Sequence, residues 1–238
     1  MDEFRNILFI DIETVACSPS YEGLDERLKV QWARKANFFR QKDAALTDED
    51  LFHERAGIYA EFGKIIVIAI GKFATNEAGE RTLRTKHFAH HDEASLLEEF
   101  CQALQKMDKS QVRFCAHNGK EFDYPYLSRR MLVQGIPLPE SLNLSGKKPW
   151  DIPHLDTLEM WKFGDYKHYT SLDLLATLFK IPTSKGDMDG SRVNEVYYRE
   201  KDLKKIAEYC VSDVVVVAQL FLRLKGCPLV EDKNIIRA

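Results

Sequence analysis

The chain has 238 residues, 45% of them hydrophobic and 30% charged, with a formal net charge of -3 at pH 7. That length and apolar fraction suit one large α/β domain, or one domain carrying a sizeable insertion, around an ordinary buried core. The slight acidity argues against clamping a long polyanion by global charge, though not against a local basic groove.

Residues 6–12 (NILFIDI) predict a buried strand. A polar segment from about 17 to 62 follows, in which LDERLKVQWARKANFF has helical spacing: Leu28, Trp32, Ala36 and Phe39 share one face. Thr47 to Asp50 has the pattern of a capping box and opens a second short helix. Residues 64–73 and 81–89 read as an antiparallel hairpin across the turn TNEAG. Asp92 caps a helix through about 107, with Leu96, Leu97, Phe100, Cys101 and Leu104 facing inward. VRFCAH (112–117) is a short strand, broken by Asn118-Gly119 and followed by a helix over about 122 to 134. Residues 135–153 read as loop, with short helical patterns near 157–163 and 171–180, the second capped by Ser171. After a loop at 181–193, a final helix runs from about 200 to 224, with Ile206, Cys210, Val214, Val217 and Phe221 along one stripe. Early strands, a hairpin and later helices alternating with strands predict a mixed sheet with helices on its faces.

The five cysteines (Cys17, Cys101, Cys115, Cys210, Cys227) are scattered and contain no CxxC pair. That argues against a cysteine zinc site or a disulfide framework, and fits a reducing cytoplasm. MDEFRNILFI lacks a signal-peptide layout, because its apolar run is short and ends at Asp11. The longest apolar stretch, IIVIAI at 65–70, has the length of a strand, so no membrane association is expected.

Three separated segments carry the chemistry. Asp11 and Glu13 are two apart in a strand, so they project from one face near its carboxyl end, where α/β sheets favour ligand sites. Asp123 lies in the first turn of its helix, where the dipole tolerates an anion. Tyr209 and Asp213 are four apart and share a face of the last helix. Each pattern alone has an ordinary explanation; their order and wide separation make coincidence a poor account. If the four acids meet, each pair at 4 Å costs roughly 4 kcal/mol at an effective dielectric of about 20. Such a cluster must take up protons or bind cations, and all-oxygen ligation selects Mg²⁺ or Mn²⁺ over zinc. Two such ions about 3.5–4 Å apart stabilise the attacking and leaving oxygens of a displacement at phosphorus. Tyr209 can orient the attacking water or share its proton, although a phenol near pKa 10 is a poor base without the metal.

DIET (11–14), NGKEFD (118–123) and YCVSD (209–213) resemble, in order, the three motifs of the DEDD 3′–5′ exonuclease superfamily. A tyrosine four residues before the last aspartate resembles the DEDDy branch; the histidine branch has His one position earlier, where Glu208 stands. AEFGKIIVIAIG, SKGDMDGSRV and IAEYCVSDVVVVAQLFLRL are similar to stand-alone exonucleases related to the proofreading domain of family-B DNA polymerases. The resemblance runs from about residue 6 to 224 and is weakest across 17–56 and 140–153. It implies a ribonuclease H-like α/β fold: a mixed five-stranded sheet flanked by helices, with a helical insertion (17–62) after the first strand. It implies a single 3′–5′ exonuclease domain over 1–238 that hydrolyses single-stranded DNA 3′ ends to nucleoside 5′-monophosphates. Asp11, Glu13, Asp123 and Asp213 would hold two Mg²⁺ (or Mn²⁺), with Tyr209 beside the attacking water. Asn118 matches the asparagine of the second motif, as a substrate contact or a brace. With no polymerase region in the chain, proofreading in cis is not expected. An exoribonuclease of the same chemistry and a non-catalytic nucleic-acid-binding module are the alternatives. The ribonuclease D branch usually carries an extra helical domain, for which no region remains. Inactivated relatives usually lose an acid, and this chain keeps all four.

Thr14, directly after the DxE pair, and Lys185, Ser191 and Arg192, in KGDMDGSR, are further candidates for substrate contact. The same loop lacks the acids of an EF-hand. Asp156 is a second-tier acid, better explained as a helix cap. His117 borders Asn118 and is better explained as structural. His90 and His91 are adjacent, so their side chains point apart rather than toward one metal. Trp32, Phe38 and Phe39 stand among Arg27, Lys29, Arg34, Lys35 and Arg40, a pattern that suits base stacking or, more simply, a helix packing its aromatic stripe on the core.

Overall fold

A computed structural model describes residues 4, 6–40, 45–107, 112–165, 169–183 and 188–237. The described strands are β1 (Ile7–Ala16), β2 (Gly63–Thr75), β3 (Arg81–Ala89), β4 (Arg113–Ala116), β5 (Leu155–Asp156) and β6 (Ile235–Arg237). They form one sheet in the order β5-β4-β1-β2-β3-β6. β1–β2 and β2–β3 are antiparallel, while β4 joins β1, β5 joins β4 and β6 joins β3 in parallel. The mixed character is as expected, but six strands replace the expected five. The sixth, β6, arises because the end of the chain returns to the free edge of β3, with Leu83 opposite Ile235. β5 and β6 span two and three residues, too few for an alternating pattern to register.

β1 is buried on both faces, as a central strand must be. Leu8, Ile10 and Ile12 pack with α3 (Glu93–Gln105) and α4 (Asp123–Val133), through Leu96, Phe100, Leu127 and Met131. Ile7, Phe9 and Val15 pack with α8 (Leu203–Leu224), through Cys210, Val214 and Phe221. A register shift between Glu13 and Thr14 leaves Ile66 of β2 as an extra residue, and Ile66 and Val67 then both join the α8 side. Such a bulge sharpens the local twist at the end of β1 that bears the acids.

The helices start where side chains satisfy their first amides. Thr47 and Asp50 make a reciprocal capping box at α2 (Asp48–Arg55). Asp92 caps α3, Ser171 caps α6 (Leu172–Leu178) and Asp202 caps α8. In α1 (Glu26–Arg40) the inward stripe is narrower than expected: Trp32 and Ala36 are buried, whereas Leu28 is at the surface. Trp32 donates to the Asp48 carbonyl (2.8 Å) and packs on Phe52 and Phe62 beside Ala16 of β1. Lys35 lies over the Tyr59 ring and Arg55 over Phe39. The interleaved aromatics and cations of this segment therefore largely serve each other and the core; Phe38 alone of the three aromatics is mostly exposed. α5 (Thr157–Lys162) follows β5 directly, and α7 (Val193–Glu195) continues into a π turn at Val196–Glu200.

A buried ion pair fastens this frame. Arg130 of α4 meets Glu93 of α3 at 2.6 Å, both side chains being under a tenth exposed. Glu93 also accepts the Ile65 amide, and Arg130 donates to the Ala60 carbonyl, so the pair holds two helices to the start of β2.

Candidate active site

Alternation along β1 puts Asp11 and Glu13 on the face covered by α8. Parallel pairing of β4 with β1, Phe9 opposite Cys115, brings the segment after Ala116 alongside them. There the chain turns at Asn118, whose φ of 61° is a left-handed conformation that asparagine tolerates. Gly119 must follow, because a Cβ there would lie 2.5 Å from that of Ala116. The Asp156 carboxylate fixes the turn by accepting the amides of Asn118 (2.9 Å) and Lys120 (3.1 Å), while also capping α5. Asp156 thus serves as a brace. The turn delivers α4 so that the Asp123 carboxylate accepts the backbone N–H of Ile12, between Asp11 and Glu13.

From the other side, α8 brings Tyr209, Cys210 and Asp213. Its close approach to the sheet depends on Gly71, where a Cβ would meet Val214 at 2.7 Å. The Tyr209 hydroxyl donates to the Asp213 carboxylate. The Cys210 thiol donates to Asp11 Oδ2 at 3.2 Å, and the ligand atoms of Asp11, Glu13 and Cys210 lie within 4.8 Å of one another. Sequence reasoning treated Cys210 only as a core residue. Its spacing, three before Asp213, was the signal that it would also border the acids.

The electrostatics follow from burial without counter-charge. Glu13 and Asp123 are 7% and 3% exposed, and Asp11 and Asp213 are half-buried. Burial pushes the Asp11 carboxyl well up, and Glu13, Asp123 and Asp213 push it further. Burial does the same to Glu13, with Asp213 and Asp123 adding to it. Asp123 is raised to about 7, chiefly by burial. Asp213 is raised to about 6 by burial, against the hydrogen bond from Tyr209. The Tyr209 phenol is pushed up by burial and by Asp213, so its proton stays on at neutral pH. Asp123 Oδ1 is buried and has no hydrogen-bond partner. Four carboxyls, two buried and two half-buried, raised chiefly by burial and by other acids and including one orphaned oxygen, fit hard divalent cations.

A cavity of about 950 Å³ opens on this cluster and is lined by Asp11, His117, Tyr169, Arg192, Tyr209 and Asp213 among others. Thr14 does not join it: it has the opposite parity to Glu13 on β1, and its hydroxyl bonds to Tyr126, on the α4 side. Its position next to Glu13 in a strand already dictated that separation. The Ser191 hydroxyl donates to Asp189, and Arg192 pairs with Glu200 at 3.2 Å. Lys185 lies outside the described residues. His117 is held at both ring nitrogens, by the Thr157 hydroxyl and the Thr170 carbonyl, and burial lowers its pKa. His90 and His91 diverge, the first to the Asp92 backbone and the second to the Tyr197 hydroxyl.

Residues 58–229 match the family model described as "Predicted 3'-5' exonuclease related to the exonuclease domain of PolB". That span contains Asp123, Tyr209 and Asp213 and begins after Asp11 and Glu13. Among solved structures, the family B DNA polymerase from the hyperthermophilic archaeon Pyrobaculum calidifontis is similar, with a TM-score of 0.55 and 16% identity. The similarity covers 91% of this chain and 24% of the polymerase chain, so this chain spans about a quarter of that protein. At that identity the likeness shows the fold: a mixed sheet flanked by helices, of the ribonuclease H-like kind. No curated protein matches the chain. The family match spans well over half of the chain, and the chain belongs to the family of predicted 3′–5′ exonucleases related to the exonuclease domain of PolB.

Proposed function

We propose that the protein is a DEDDy-type exonuclease that trims single-stranded DNA 3′ ends to nucleoside 5′-monophosphates, using two Mg²⁺ or Mn²⁺ ions. The observation that carries this reading is that Asp123 and Asp213 lie close enough to Asp11 and Glu13 to push both of those carboxyl pKa values up, with an unpartnered Asp123 oxygen beside them. In this reading those four side chains hold the ions. When bound, the ions supply charge to the attacking and leaving oxygens of an in-line displacement at phosphorus.

The chain's own residues supply the geometry. Asp123 is pinned by the Ile12 amide and keeps one oxygen free. Tyr209 retains its proton and acts as a donor, so it orients Asp213 and the attacking water rather than abstracting a proton. Asn118 reaches the second-motif turn in a conformation fixed by Asp156 and is assigned to bracing or substrate contact. Arg192, on the cavity wall, is assigned to a phosphate of the strand. The five unpaired cysteines fit a reducing cytoplasm, and among the described residues no helix is long and apolar enough to cross a membrane.

Digestion of 5′-labelled DNA and RNA oligonucleotides with Mg²⁺ or Mn²⁺ tests the reading. A DNA ladder shortening from the 3′ end, lost in Asp11→Asn and in Asp213→Asn, is the expected result. Full activity in either variant, or binding of 3′ ends with no cleavage in Mn²⁺, overturns it. A ladder on RNA alone moves the assignment to an exoribonuclease, since the acids read phosphate and metal, not the 2′ position.

A further inference from the structure

One wall of the same cavity is aromatic and has no part in the acid cluster. Tyr169 lines it and is 66% exposed. Other large apolar side chains that are as exposed, such as Phe38, Trp150 and Phe163, do not line the cavity. The Tyr169 ring stands at 67° to the His117 ring, with centroids 6.2 Å apart. A tilted contact of that kind, with two-thirds of the residue exposed, leaves a ring face open. His117 cannot swing away, because Thr157 and the Thr170 carbonyl hold its two ring nitrogens at 2.9 and 2.8 Å. The ring is therefore propped from behind by a fixed neighbour.

We propose that Tyr169 is the platform on which the nucleobase of the 3′-terminal nucleotide stacks. This deepens the exonuclease reading above and rests on it. A phosphate accepting from the Tyr169 hydroxyl is the alternative, and the abasic end in the test below, which keeps its phosphates, separates the two. Every base has a π-face, so the contact holds the end without reading its sequence. Tyr209 and Asp213 line the same cavity, so a base seated on Tyr169 occupies the cleft that opens on the acids.

The test uses the full-length protein in Ca²⁺, with two single-stranded DNA oligonucleotides that differ only at the 3′ terminus: 2-aminopurine in one, an abasic residue in the other. Fluorescence anisotropy reads affinity, and 2-aminopurine emission reads stacking. The wild type is expected to bind the base-bearing end roughly tenfold more tightly, as one stack is worth, and to quench its emission. Tyr169→Ala is expected to lose both the preference and the quenching, and Tyr169→Phe to keep both. Thermal melting confirms that Tyr169→Ala remains folded, as its exposure implies. Equal weakening of both ends in Tyr169→Ala, or an unquenched 2-aminopurine in the wild type, overturns the proposal. Failure of the exonuclease reading has a different signature: the wild type then binds neither oligonucleotide, and both readings fall together.

Discussion

The Asp123 carboxylate accepts the backbone N–H of Ile12, the residue that separates Asp11 from Glu13 on β1. This bond ties the start of α4 to the strand that carries two of the other acids. It commits one oxygen to the scaffold and leaves Oδ1 buried without a partner. In the proposed reading that free oxygen pre-organises the site for a cation, at some cost to the metal-free protein.

Replacing that carboxylate separates function from stability. Asp123→Asn keeps an oxygen for Ile12 and removes a buried charge, so at about pH 8 the metal-free variant should melt no lower than the wild type. Its nuclease activity should fall roughly 10²–10³-fold, given several kcal/mol of lost charge stabilisation at about 1.4 kcal/mol per tenfold. Differential scanning calorimetry and oligonucleotide digestion read the two effects. A variant that is both less stable and fully active contradicts the assignment.

The raised carboxyl pKa values set a pH dependence. Asp123 rises from an ordinary 3.8 to about 7 and Asp213 from 3.8 to about 6. A folded-state pKa above the unfolded one means that the native state binds the proton more tightly. The associated stability is fully present below about 3.8 and is lost as pH rises through about 6 to 7. The metal-free Tm should therefore decline across that window. Millimolar Mg²⁺ should raise Tm more at about pH 8 than at about pH 5, because protons compete for the same oxygens. An equal Mg²⁺ effect at both pH values would falsify this linkage.

In the proposed reading Tyr209 serves as a donor to Asp213 rather than as a base, and Tyr209→Phe isolates that role. Activity should drop about 10–100-fold, the usual scale for a residue that orients a metal ligand. The Mg²⁺-induced rise in Tm should persist, since no carboxylate is lost. An alkaline limb in the wild-type rate profile that vanishes in Tyr209→Phe would instead mark the phenol as a titrating base.

Arg130→Ala strands Glu93 among buried apolar groups and frees the Ala60 carbonyl. Breaking a pair this buried should destabilise the protein by about 3–5 kcal/mol. Urea unfolding measures it, and the m-value should not change if the folded state stays compact. A loss under about 1 kcal/mol would mean that the pair behaves as an exposed one.

Much of this molecule was legible in the chain itself. The short apolar run in NILFIDI marked β1, and strand parity put Asp11 and Glu13 together; Asp92, Thr47 and Ser171 marked helix starts where they occur. The stripe from Ile206 to Phe221 named the buried face of α8. These are local properties, set by a period of two or 3.6 and by which side chains can cap an amide. Thr14 was also decidable, because its neighbour Glu13 fixes its parity, and expecting it in the site overlooked that rule. What no local pattern carried was which faces meet. The two-residue β5, the return of β6 to β3, the bulge at Ile66, the thiol of Cys210 against Asp11 and the exposed ring of Tyr169 in the cavity all depend on strand order and on how closely α8 can approach Gly71. Spacing along the chain decides the direction of each side chain, but partners distant in sequence decide what it touches, and only the folded arrangement brings them within reach.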